Sequence, residues 1–233
     1  DSVGTNNGVL VNGTGFALGK AGFAFNFDGI NDVVSTPTTP FRNVRNSFTI
    51  ELWAFPKAKR TVTSESISGA SGTSGQRYAV FPTLCGSDGS AGVGVSVGTN
   101  GVSVFEHASS YLPSLLVYNC FIQSWTHIAV IYQNKKATLY LNGALARVGL
   151  TSPKSFVFPG SSLADTSYGP YGGLLDEVSI FNRDLSAAEI QAIYQAGSGS
   201  EALNILQMQH IDLVFMDIDM PDMNGIETTR KAT

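Results

Sequence analysis

The sequence predicts an all-β fold, a two-sheet antiparallel jelly-roll sandwich carrying one short C-terminal helix and followed by a short α/β tail fragment. Three observations carry this. Short runs of β-branched and aromatic residues alternate in hydrophobicity along the first 180 residues. Tight-turn pairs punctuate them: Asp28-Gly29, Asn100-Gly101 and Asn142-Gly143. No helical period interrupts them, which argues against a parallel sheet with crossover helices.

The strands read in order. Phe23, Phe25 and Phe27 share one face of an early strand that closes at Asp28-Gly29. Phe48, Ile50, Leu52 and Ala54 oppose Thr49, Glu51, Trp53 and Phe55. Val95–Val97 and Val102–Val104 flank the Asn100-Gly101 turn. Ile128, Val130 and Tyr132 oppose His127, Ala129 and Ile131, and Thr138 and Tyr140 oppose Leu139 and Leu141 before Asn142-Gly143. Several runs are apolar on both faces, as strands buried between two sheets are. Trp53 and Trp125, in strand context, are expected in the core. One helix follows the last strand. Ser186 and Glu189 have capping-box spacing, Leu185 and Ile190 occupy the staple positions, and Ile190, Ile193 and Tyr194 form a stripe ending near Gly197.

Composition bounds the function. The chain has 233 residues, 43% hydrophobic and 14% charged, with a formal net charge of −4. That excludes disorder for the bulk of the chain. No apolar run nears the ~20 residues of a membrane helix. Scattered Lys and Arg offer no nucleic-acid footprint. No charged-then-apolar leader opens the sequence, so an export signal is expected to have been removed or to lie outside it. The composition also breaks. All four methionines lie at or beyond Met208. Six of the 18 acidic residues but two of the 14 basic ones lie in 200–233, which leaves the first 199 residues charge-balanced. The break suggests two segments, 1–199 and 200–233, joined at Gly197-Ser198-Gly199-Ser200, a linker-like composition.

FAFNFDGINDVVS (23–35), FTIELWAFP (48–56), WTHIAVIYQNKKATLYLNGALA (125–146) and GGLLDEVSIFNRDLSAAEIQAIYQAG (172–197) occur in this order. Together they resemble the laminin-G-like, concanavalin-A-like jelly-roll family over nearly all of 1–199. The resemblance implies a recognition role, often toward glycans or adhesive partners, in an extracellular or cell-surface setting. It also implies a structural calcium ion where the early Phe-Asp-Gly turn meets the late Asp-Glu strand, with Asp28, Asp32 and Asp176 as ligands. Carboxylates and turn carbonyls are the oxygen donors calcium takes. The alternative reading is that Asp28 and Asp32 are turn residues and Asp176 pairs with an arginine.

Some relatives hydrolyse glycans with a Glu-x-Asp-x-x-Glu run. No such run exists here, Glu51 stands alone, and the adjacent Asp176 and Glu177 point to opposite faces. His107 and His127 read as packed strand histidines. The expectation is a non-catalytic module. Sugar stacking would fall to loop tyrosines, Tyr111, Tyr168 and Tyr171 first, with Tyr78 and Tyr118 also considered. Their alternative is to cover sandwich edges. Cys85 and Cys120 suit one disulfide or two thiols equally. A structural or adhesive spacer is the alternative function.

DLVFMDIDMPDMNGIETTRK (212–231) resembles the phosphoacceptor region of response-regulator receiver domains, which are cytoplasmic. The match places Asp217 at the phosphorylated position. The early acidic pair of that family and its later strands are missing, so no phosphotransfer is expected from this chain alone. GSEAL (199–203) matches the same family, so the Gly-Ser junction reads both ways. Natural fusion, deliberate joining and a misjoined sequence all fit.

Overall fold

The computed structural model describes residues 7–36, 41–85, 89–164 and 166–196. The chain runs β1 (Val9–Val11), β2 (Gly15–Leu18), β3 (Phe23–Asp28), β4 (Val33–Ser35), β5 (Phe48–Pro56), β6 (Tyr78–Val80), β7 (Ser90–Gly98), β8 (Gly101–His107) and β9 (Ser114–Tyr118). It continues through β10 (Thr126–Gln133), β11 (Lys136–Leu141), β12 (Ala144–Thr151), β13 (Phe156–Pro159), β14 (Gly172–Phe181) and α1 (Ala187–Gln195).

Two sheets stack. The first has seven strands in the order β12-β11-β10-β5-β14-β3-β2, and the second runs β13-β7-β8-β9 with β6 beside β7. A β1–β4 ribbon joins the second sheet through Leu163, which bridges Val34 and Val80. Among the named strands pairing is antiparallel except between β13 and β7, which run parallel from Phe156 opposite Ser90. That pair departs from the wholly antiparallel expectation. The connection from β7 to β13 passes through the first sheet, so a hairpin's antiparallel return does not constrain it.

Alternation places the core. Phe48, Ile50, Leu52 and Ala54 of β5 and Ile128, Val130 and Tyr132 of β10 meet Val93, Val95 and Val97 of β7 and Val102 and Val104 of β8 in one buried cluster. The outer face of β7 carries Ser90, Gly92, Gly94, Ser96 and Gly98 for a spatial reason. A Cβ at Gly94 would strike Pro82, and one at Gly98 the backbone of Arg60, because the chain leading into and out of β6 lies directly on this face.

The outer face of the seven-stranded sheet is covered in part by α1. Ala129 and Ile131 of β10 pack with Leu185 and Ile190. The predicted caps are in place. Glu189 N–H donates to Ser186 Oγ at 3.3 Å and Ser186 N–H to Glu189 Oε2 at 2.8 Å. The Arg183 guanidinium, 2.6 Å from Glu189, holds that carboxyl down at about 2, assisted by the Ser186 amide and hydroxyl.

Candidate functional site

On β5 the odd positions face outward, and Trp53 lies opposite His127 on β10 and Asp176 on β14. The last turn of α1 brings Tyr194 onto Trp53, with centroids 5.8 Å apart and planes 27° from parallel. His127 packs against both rings, 5.3 Å from Trp53 and 5.9 Å from Tyr194. Its backbone N–H donates to Asn142 Oδ1 in the β11–β12 turn. There Asn142 and Gly143 adopt φ of 48° and 77°, the turn their sequence predicts. A Cβ on Gly143 would run into Gln191, so the glycine also lets α1 approach the turn.

The result is an open cleft of about 530 Å³ lined by Lys20, Trp53, Ser124, Trp125, Asn142, Tyr194 and Gln195. Three of its side chains are aromatic and three are neutral hydrogen-bonding groups. Lys20 Nζ lies 4.8 Å over the Trp53 ring. Both tryptophans are half-buried rim and wall residues, which corrects their core assignment. For Trp53 the reason is register: the core takes the even face of β5, and Trp53 sits on the odd one.

Asp176 lies beneath the cleft and holds its edge. Its Oδ2 accepts the N–H of Lys20 at 2.7 Å and of Ala21 at 3.0 Å, and its Oδ1 accepts that of Glu177 at 3.0 Å. The carboxylate thus pins the Gly19–Gly22 turn so that Lys20 reaches over Trp53. At Gly19 a Cβ would collide with Asp176 Oδ2.

These contacts bear on the expected calcium ligands, and the three do not form one site. Asp28 lies opposite Gly172 on β14, four residues from Asp176, or about 13 Å at ~3.3 Å per residue. Asp28 Oδ1 accepts from Ile30 and Asn31 N–H, and Asp32 Oδ2 from Asp28 N–H at 2.8 Å. Both carboxylates hold amides of the turn. Asp32 Oδ1 is buried without a hydrogen-bond partner. Among the described residues no three His, Cys, Asp or Glu side chains converge as a metal site.

The loop tyrosines do not form a surface either. Tyr171 is fully buried, edge-on to Phe27, and donates its hydroxyl to Leu174 O. Tyr111 is buried and donates to Glu106 Oε2 at 3.2 Å. Tyr78 is buried, with its hydroxyl donating to Gly72 O, and Tyr118 is half-buried. Tyr168 is half-buried against Phe81 and His107. The correction has a physical cause. Gly169 lies on the backbone of Gln76 with φ +136°, so the loop folds down and turns Tyr171 inward. Cys85 and Cys120 are free thiols. Asp217 lies outside the described residues.

Three buried polar contacts are not visible in the sequence. Glu51 Oε1 accepts from His127 Nε2 at 2.9 Å, with both side chains buried. Glu106, on the inward face of β8, collects hydroxyl donors from Tyr111, Tyr132 and Ser152 at 3.2, 3.1 and 2.6 Å. Burial pushes its carboxyl up to about 7 against those donors. Arg60 donates to Val102 O, Tyr118 O and Asn119 Oδ1, and burial lowers it to about 10. Alternation offered one usable signal: Glu106 shares its parity with Val102 and Val104, so a carboxyl was aimed at the core.

Known proteins share this fold. The structure resembles domain 4 of AbnA, an extracellular arabinanase from Geobacillus stearothermophilus solved with arabinotriose. The TM-score is 0.57 at 19% identity, over 82% of this chain and 87% of that one. It also resembles the binding domain of Paraclostridial Mosquitocidal Protein 1, with TM-score 0.56 at 15% identity, over 84% of this chain and 48% of that one. Curated relatives match on a short stretch. CqsS, an autoinducer sensor kinase/phosphatase of Vibrio cholerae, is 53% identical over 38 residues, 16% of this chain and 6% of that protein. DivK, a response regulator of Brucella ovis, is 40% identical over 48 residues, 21% of this chain and 39% of its own. The chain thus spans well under half the length of these curated relatives. A response regulator receiver model matches 178–232. The described part of that range, 178–196, is built into the sandwich as the end of β14 and α1. Residues 28–191 match the model of the Concanavalin A-like lectin/glucanases superfamily, and the chain belongs to that family.

Proposed function

We propose that this chain is a non-catalytic recognition module that binds a glycan in the outer-face cleft, in an extracellular or cell-surface setting. The carrying observation is the lining itself. Trp53, Trp125 and Tyr194 offer ring faces and edges to a sugar, and Ser124, Asn142 and Gln195 offer hydroxyl and amide partners for its hydroxyls. The nearby carboxylates are occupied: Glu51 by His127, and Asp176 by three backbone amides. No pair of acids lines the cleft for glycoside cleavage. A fold neighbour solved with arabinotriose is compatible with this reading. A protein ligand is the other partner class.

The boundary between a jelly-roll unit and a receiver-like segment falls in this reading at 199/200. The segment is a partial receiver-like piece and not an independent domain, and no phosphotransfer is expected from this chain alone, although Asp217 matches a phosphoacceptor. No helix among the described residues is long and apolar enough to cross a membrane.

The test is a glycan array read with the whole chain, followed by titration of any hit against Trp53→Ala and Trp125→Ala. Stacking contacts of this kind predict at least a tenfold loss on either substitution. A folded chain that binds no glycan, or hits indifferent to both substitutions, contradicts the proposal.

A further inference from the structure

The seven-stranded sheet ends on β2, and among the described residues nothing pairs with the outer edge of that strand. Edge strands present unpaired N–H and C=O groups and are usually short, charged or covered. β2, Gly-Phe-Ala-Leu, carries no charge. Its Phe16 and Leu18 lie beside Phe25 and Phe23 of β3. Phe25 in turn lies opposite the core residue Leu175, so this row belongs to the inward face of the sheet. The second sheet does not reach far enough to cover it. Phe16 is 58% exposed, Leu18 80% and Phe23 72%.

We propose that β2 pairs with β2 of a second copy of this chain, antiparallel about a two-fold axis normal to the sheet, joining two seven-stranded sheets into one. Such an axis keeps each face on its own side, so opposed residues must share parity. The register centred on Ala17 meets that condition. Ala17 then faces Ala17 of the partner subunit, and Phe16 faces Leu18 of the partner subunit. The existing pairs extend this into two apolar rows that cross the junction. One runs from Phe23 through Leu18 to Phe16 and Phe25 of the partner subunit, and the other is its symmetry mate. Every side chain in the rows is apolar, and the contact is self-complementary.

Phe16, Leu18 and Phe23 together expose roughly 400 Å² per copy, as much as the largest apolar patch of a typical monomer. Edge pairing lays Phe16 of each copy beside Leu18 of the partner subunit and shields the flanks of these two side chains, with Phe23 behind them in the row. With the β2 backbone hydrogen bonds this is a modest contact, of the size that gives a concentration-dependent monomer–dimer equilibrium. The cleft opens on the outer face of the same sheet, so the two-fold axis puts both clefts on one side. On the glycan reading, and only on it, the dimer gains avidity for a multivalent surface. The pairing itself does not depend on that reading.

Sedimentation velocity of the whole chain over a concentration series tests the pairing, with cross-linking to test the register. The expected result is a monomer–dimer equilibrium that Leu18→Glu shifts to monomer at the same loading concentration, with an unchanged folded far-UV spectrum. In a Cys120→Ser background, Ala17→Cys is expected to give a disulfide-linked dimer, since directly opposed residues have Cα atoms within bonding range. Leu18→Cys is expected not to, because its opposite residue is Phe16. A chain that stays monomeric at all concentrations overturns the proposal, including one whose β2 amides resist exchange because another segment covers them. So does a dimer that Leu18→Glu leaves intact. Cross-linking through Leu18→Cys but not Ala17→Cys overturns the register.

Discussion

Tyr194 and Trp53 stack across the junction of α1 and the seven-stranded sheet, 5.8 Å apart and 27° from parallel. One ring comes from the last turn of a capped helix and the other from the outward face of the central strand β5. The cleft therefore exists only while α1 is docked. Its fidelity rests on the Ser186 cap, the Leu185–Ile190 contact and the glycine at 143.

Loss of the cap should reach the cleft. Ser186→Ala removes the acceptor for Glu189 N–H and is expected to cost about 1 kcal/mol. Thermal unfolding measures that cost. Hydrogen exchange over 187–195 should rise before that of β5 and β10.

Glu106 should make stability fall as pH rises. Its carboxyl stands near 4.5 when unfolded and at about 7 when folded. The fold therefore favours the protonated form. Its contribution is whole below pH 4.5, declines between 4.5 and 7, and is lost above 7. The span is on the order of 3 kcal/mol. Urea unfolding of the wild type and of Glu106→Gln across pH 4.5–8 checks this, and the difference in their slopes should lie within that window.

Asp176 should matter to the cleft more than to metal. Asp176→Asn keeps the size of the side chain but weakens its charge-assisted acceptance from Lys20 and Ala21 N–H. Any ligand of the cleft should then bind more weakly. A chelator should shift the melting temperature of wild type and variant equally.

Gly94 should tolerate no side chain. Gly94→Val drives a branched group into Pro82 and the backbone of Val80, with an expected loss of several kcal/mol or failure to fold. Soluble yield and calorimetry report it. Gly69, with open space around it, is the control, although its positive φ makes even Gly69→Ala cost about 1 kcal/mol.

Much of the fold was legible because its cause is local. The parity of Phe48, Ile50, Leu52 and Ala54 announces an inward face, Asn142-Gly143 a left-handed turn, and Ser186 with Glu189 a helix start. The cleft was not legible for the opposite reason. The same parity that put Ile50 and Leu52 inside put Trp53 outside, but nothing near Trp53 in the chain says that Tyr194 and Lys20 will meet it there. Asp176 was noticed as a carboxylate on a late strand. Its use depends on a turn more than 150 residues earlier presenting two amides to it. Tyr111 and Tyr171 read as surface rings because loops are commonly exposed, and a buried Glu106 and a loop folded onto Gln76 are tertiary facts. β13 was placed parallel to β7 by a connection too long for any turn signal to fix.

The central claim is that the aromatic cleft is the binding surface. Isothermal titration of a glycan identified by array, against the wild type and Trp125→Ala, tests it most directly. The account predicts at least a tenfold rise in Kd for Trp125→Ala with its melting temperature held near that of the wild type. Equal Kd values in two equally folded proteins would contradict it.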